Sequence, residues 1–140
     1  MKVFADTNFL VSAFASRGLS SDVFQLVLAE HQLMTGEFVL NELARILTEK
    51  LNVPERIVRD AEDLLRRHHI EPLPDQPSEV QVRDEDDRWV LESALKAKAD
   101  VLITGDKDLL DISKKVPQLK IVTPRKFWEL VQKATEGSRF

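Results

Sequence analysis

At 140 residues the chain is long enough for about one domain, and with 43% hydrophobic residues it can bury a sizeable core. A formal charge of −4 excludes a global basic field for coating nucleic acid, though not an enzyme with a local basic rim. The absence of cysteine excludes disulfides, thiolate chemistry and zinc–sulfur sites.

No apolar run approaches the roughly 18 residues of a membrane span, and Asp6 comes too early for a signal peptide. The expectation is a soluble cytoplasmic protein of one domain, residues 1–140. Lys2–Ala5 is a short apolar run that predicts a buried first strand ending at Asp6. Asp6-Thr7-Asn8 is a turn from which a helix can begin. Leu19-Ser20-Ser21-Asp22 offers caps for a second helix reaching about His31. A second strand is expected over Gln32–Thr35, then a break at Gly36 and a helix from Glu37 to Leu51. Asn52-Val53-Pro54 starts another helix, to about His68, Pro54 being tolerated in a first turn. Ile70–Leu73 is a third strand, and Pro72, Pro74 and Pro77 mark an extended linker.

The richest stretch runs from Arg83 to Leu110. Four acids, Asp84 to Asp87, open an amphipathic helix; a fourth strand ends at Thr104, and Gly105-Asp106-Lys107-Asp108 follows. A short helix to about Lys115, a fifth strand over Leu119–Val122 and a last helix from Thr123-Pro124 to near Thr135 complete the chain, with a fraying tail from Glu136 to Phe140. Strands alternating with helices predict an α/β fold, a parallel sheet with helices on both faces. Ligands of such sheets bind beyond the carboxyl ends of the strands. Asp6 and Asp106 both stand just after a strand.

Each acid has a plain structural reading. Asp6 and Asp106 suit helix N-caps, and Gly105 permits a tight turn or a close approach. Glu42 falls beside the stripe Val39-Leu43-Ile46, between Phe38 and Ile46, where a carboxylate is costly unless it is paired, for example with Arg45, or bound to metal. Asp87 heads the apolar stripe of its helix, with Val90, Leu91 and Ala94 within roughly 60° of its direction. Asp84 reads as the cap, and Asp84, Glu85 and Asp86 point elsewhere. Clustered carboxylates repel one another unless compensated. An oxygen-only set with no histidine or cysteine fits Mg²⁺ or Mn²⁺. His31, His68 and His69 lack ligand spacing and read as surface or capping residues.

Asp6-Thr7-Asn8, mid-chain Glu42, Asp84-Glu85-Asp86-Asp87 and Thr104-Gly105-Asp106-Lys107-Asp108, in that order, resemble the PIN-domain nucleases, closest to the toxin-component PIN proteins similar to VapC toxins. The resemblance covers nearly the whole chain. It implies a three-layer α/β/α fold around a five-stranded parallel sheet of order 3-2-1-4-5. It also implies a Mg²⁺- or Mn²⁺-dependent endoribonuclease, commonly a homodimer, often inhibited by an antitoxin protein. By position, Asp6, Glu42, Asp87 and Asp106 form the acidic, metal-holding quartet, supported by Asn8, Thr104 and Asp108. Metal-activated water would then hydrolyse RNA and leave 5′-phosphate and 3′-OH ends. Arg17, Lys50, Arg83, Arg88, Lys107 and Lys114 are candidate phosphate contacts. Two rivals are a phosphatase with Asp6 as nucleophile, weakened by Asn8 two residues on, and a catalytically silent binding module on the same scaffold.

Overall fold

Short apolar runs become strands, each followed by helix, and this alternation winds the chain into a parallel sheet. The computed structural model describes residues 1–137, with the side chains of residues 1–134. The strands are β1 (Lys2–Ala5), β2 (Gln32–Gly36), β3 (His69–Glu71), β4 (Val101–Ile103) and β5 (Lys120–Val122). They pair in parallel throughout, in the order β3-β2-β1-β4-β5, the order the motif resemblance implies. The helices flank the sheet: α1 (Thr7–Ala15) and α2 (Leu19–Glu30) after β1, α3 (Glu37–Arg45) and α4 (Glu55–Arg66) after β2, α5 (Glu85–Lys96) after β3, α6 (Lys107–Asp111) after β4, and α7 (Pro124–Gly137) after β5.

Burial follows strand position. Val3, Phe4 and Ala5 in the central strand, and Leu102 and Ile103 beside it, are fully buried, as expected of a parallel sheet covered on both faces. Edge strand β3 is the polar His69-Ile70-Glu71, partly exposed and guarded by charge. At Gly36 a Cβ would stand 3.3 Å from Ser93 Cβ and 3.4 Å from Phe4 Cζ. The missing side chain lets α5 lie close against the end of β2. That contact sets the height of α5, and Asp87 lies six residues upstream of Ser93, near the carboxyl edge of the sheet.

Several boundaries differ from expectation. The polar run Ser20-Ser21-Asp22 does not cap α2; the cap position is Gly18, at φ 142°, with no side-chain hydrogen bond. The helix from Glu37 does not run unbroken to Leu51. It widens over Ile46–Lys50 into a π-helical turn closed by Leu51 N–H to Ile46 O at 3.1 Å, and Asn52 follows in the left-handed region at φ 52°. The third strand lies one residue earlier and ends at Glu71, because Pro72 cannot donate to the ladder. The proline-rich segment is extended but tethered: Ser78 N–H donates to Arg88 O, and Arg88 Nε donates to Ser78 O. Of the tail expected to fray, Glu136 and Gly137 are helical, and residues 138–140 lie outside the described residues. No helix among the described residues is long and apolar enough to cross a membrane.

Candidate active site

The sheet register brings the first two acids together. Ala5 pairs with Ile103, and Asp6 N–H donates to Ile103 O at 3.1 Å, so Asp6 and Thr104 emerge side by side. Asp6 does serve as the N-cap of α1, its Oδ1 accepting from Thr7 N–H at 2.7 Å. Its other oxygen accepts from the Thr104 hydroxyl at 2.6 Å. Thr104 Oγ1 in turn accepts from Asp106 N–H at 2.9 Å, and Asp106 Oδ1 caps α6 by accepting from Asp108 N–H at 2.9 Å. Asn8 Oδ1 accepts from Gly105 N–H at 3.0 Å and ties the two loops together. Capping and site membership are therefore not alternatives here: one oxygen caps while the carboxyl stays in the cluster. Gly105 itself has no left-handed φ, and a Cβ there would meet only Asn8 at ordinary contact distance, so this turn does not require glycine.

The other two acids arrive from helices. The Thr7 hydroxyl donates to Glu42 Oε1 at 2.9 Å, binding α3 to the start of α1; Thr7, not Arg45, is the hydrogen-bond partner of Glu42. Thr7 escaped the sequence reading because a hydroxyl beside a motif acid carries no periodic signal. Asp87 projects inward from α5 and is only 6% exposed, while Asp84 caps that helix by accepting from Asp86 N–H. Asp6, Glu42, Asp87 and Asp106 all line one cleft of about 160 Å³. The cleft also takes in Asp84 and Asp86, which the helical phase had pointed away; Asp84, as the N-cap, stands outside the helical phase, and Asp86 is exposed in the first turn. Oxygens of Asp87, Asp106 and Asp108 lie within 4.8 Å of one another.

Such crowding raises proton affinity. Burial pushes the Asp6 carboxyl up to about 6, against the lowering effect of the Thr104 and Thr7 hydrogen bonds. Burial also raises Glu42, offset by the Thr7 hydroxyl and reinforced by Asp86. Asp87 is pushed up furthest, to about 9, first by burial and then by hydrogen bonding to Asp106 and that group's charge. As a carboxylate, Asp87 has a buried Oδ2 with no donor; protonated, it shares its proton with Asp106. A divalent cation would do the same work better. The donors are all oxygen, one is buried without a partner, and neither histidine nor cysteine lines the cleft, a set that fits a hard ion such as Mg²⁺ or Mn²⁺.

Other sequence candidates fall elsewhere. Arg88 is engaged by Glu85 at 2.7 Å and by Ser78 O, whereas Arg17, Lys50, Arg83, Lys107 and Lys114 are exposed. His69 pairs with Glu71 at 2.8 Å, and His31 packs edge-on against Phe127. Neither histidine lines the cleft.

A parallel sheet of this order with acids gathered past the ends of β1 and β4 defines a class of α/β proteins with a carboxylate site. The PIN-domain profile matches residues 2–108, and the chain belongs to the PIN-domain family of nucleases. Its fold is similar to that of VapBC2 from Rickettsia felis, solved bound to a DNA fragment from its promoter, with a TM-score of 0.64 at 16% identity over 88% of this chain and 98% of that one. It is also similar to Mycobacterium tuberculosis VapC20, described as a sarcin–ricin loop cleaving toxin, with a TM-score of 0.57 at 17% identity over 78% of this chain and 93% of that one. No curated protein sequence matches.

Proposed function

We propose that the chain is a single PIN domain acting as a metal-dependent endoribonuclease, the toxin component of a toxin–antitoxin pair. One observation carries the chemistry: four acids from separate parts of the chain, Asp6, Glu42, Asp87 and Asp106, line one cleft, and Asp87 keeps a buried oxygen without a donor. Membership of the PIN family and the described activity of VapC20 favour RNA as the substrate. The VapBC2 complex favours an antitoxin partner, and a homodimer is the assembly proposed.

In this reading Asp6, Glu42, Asp87 and Asp106 hold Mg²⁺ or Mn²⁺. When bound, the cation lowers the pKa of water and neutralises charge developing on the phosphate. The protein's own residues set the stage. Thr104 and Thr7 N–H fix the rotamer of Asp6, the Thr7 hydroxyl aims Glu42, and Asn8 holds the β4 loop against α1. Asp108 adds a third oxygen beside Asp87 and Asp106. A phosphatase with Asp6 as nucleophile is disfavoured, because Asn8 rather than a second acid follows two residues on.

The purified protein should cut a mixed RNA pool in Mg²⁺ or Mn²⁺, leave 5′-phosphate and 3′-OH ends, and stop in EDTA. Undiminished cleavage in EDTA would overturn the mechanism; metal binding without any turnover would identify a silent binding module.

A further inference from the structure

We propose that the outer face of α3 is a nucleobase subsite beside the acid cleft, built on Phe38, Asn41 and Arg45; the inference rests on the ribonuclease reading. Phe38, Asn41, Glu42 and Arg45 recur at i, i+3, i+4 and i+7, so they form one stripe along the helix. With Asp86 they line an open pocket of about 340 Å³. Glu42 and Asp86 belong to both this pocket and the acid cleft, so the two are adjoining. Whatever occupies the pocket lies next to the proposed site of cleavage.

The chemistry of the pocket selects a base rather than a phosphate. Phe38 is partly exposed, and Trp89 is stacked on it at 6.2 Å between ring centroids and 16° between planes. The neighbour braces the Phe38 ring and leaves a ring surface for a planar guest. A phosphate in the same place would be repelled by Glu42 and Asp86. A base meets the opposite situation, because carboxylates accept from its N–H groups and the Asn41 amide both donates and accepts. Arg45 is exposed and, among the described residues, makes no ion pair within 4.0 Å, while its charge acts on Glu42 one turn back; from there it can meet the phosphate flanking the bound base.

Abasic scanning of an oligoribonucleotide whose cleaved bond has been mapped tests this. One nucleotide near the cleaved bond should be sensitive, with loss of its base raising KM by about 5- to 140-fold, the usual range for one base–aromatic stack. Phe38→Leu keeps an apolar side chain without a π-face. It should raise KM for intact RNA by a similar factor and abolish the sensitivity at that position, and Phe38→Trp should restore both. A Phe38→Leu protein with wild-type KM, or with the abasic sensitivity retained, overturns the subsite. If Phe38→Leu melts well below wild type, the exposed Asn41→Ala and Arg45→Ala variants carry the test, and unchanged KM in both overturns it equally. RNA cleavage that ignores these residues sinks the subsite alone; no RNA cleavage by wild type sinks the ribonuclease reading and the subsite with it.

Discussion

At the amino edge of the sheet, Asp100 precedes β4, is exposed, and its Oδ2 accepts the Lys2 backbone N–H at 2.8 Å. At the carboxyl edge, Asp87 is buried among other acids with one oxygen that no donor reaches. Both are aspartates at the rim of the same parallel sheet, and their roles are opposite. Asp100 closes a backbone hydrogen bond, is wet, and shows no sign of conflict. Asp87 has lost water and gained like charges, a combination that costs stability unless a proton or a cation intervenes. An acid at a strand or helix terminus is ordinary architecture when donors answer it; it becomes a candidate for chemistry when its neighbours are also acids.

The largest expected effect separates these two aspartates by activity. Asp87→Asn should lower RNA cleavage by more than the 10- to 100-fold typical of losing an outer partner of a metal site, with the fold intact by circular dichroism. Asp100→Asn should cleave at the wild-type rate, since an asparagine oxygen still accepts from Lys2. Asp86→Asn, exposed and one step from Asp87, should keep much of its activity. A dead Asp86→Asn beside an active Asp87→Asn would reverse the assignment within the acidic run.

Stability against pH sharpens the contrast next. The folded-state values of Asp6 and Asp87 lie at about 6 and about 9, above the ordinary 3.8. Above that ordinary value the folded protein holds more protons than the unfolded chain. Their contribution is therefore complete below about pH 4 and is lost as pH rises through about 6 and then about 9. In EDTA the wild type should lose a few kcal/mol between pH 5 and pH 9. Asp87→Asn should remove most of the loss above about pH 6, because the amide donates to Asp106 without a proton to give up. At pH 7 in EDTA it should melt roughly 3–5 °C higher, equivalent to about 1 kcal/mol at this size. Mn²⁺ at about 100 times its dissociation constant stabilises a protein that binds it only when folded by about 2.7 kcal/mol, so wild type should then melt higher. Thermal melts in both buffers decide the matter; a variant that melts lower in EDTA and gains equally from Mn²⁺ makes Asp87 a structural acid like Asp100.

The smallest effect concerns the far end of α5. There Ala99 N–H bonds to Ala94 O and Lys98 N–H to Leu95 O, with Lys98 at φ 56°. This is a helix closure that favours glycine at the left-handed position. Lys98→Gly should stabilise the fold by about 1 kcal/mol and leave cleavage unchanged. A loss of activity would mean that strain at the amino edge reaches the acids at the other end of the helix.

The sequence alone determined the sheet and the identity of its acids. Short apolar runs, helical stripes and the breaks at Gly36 and the prolines reflect local physics, so strand count, helix order and the acids Asp6, Glu42, Asp87 and Asp106 that line the cleft could be read directly. The inward phase of Asp87 followed from helical geometry, and 6% exposure agrees with it. Only the tertiary structure decided which donors answer which carboxylates. Thr7 reaching Glu42 and Thr104 reaching Asp6 link positions 35 and 98 residues apart, and no local pattern encodes such contacts. The π-helical turn after Arg45 and the Gly18 cap were likewise hidden, because each depends on how a helix end meets its neighbours rather than on its own residues. The Phe38 face shows both limits at once: its spacing lies in the sequence, but its opening beside the acid cleft comes from α5 docking closely over Gly36 and bringing Trp89 and Asp86 alongside.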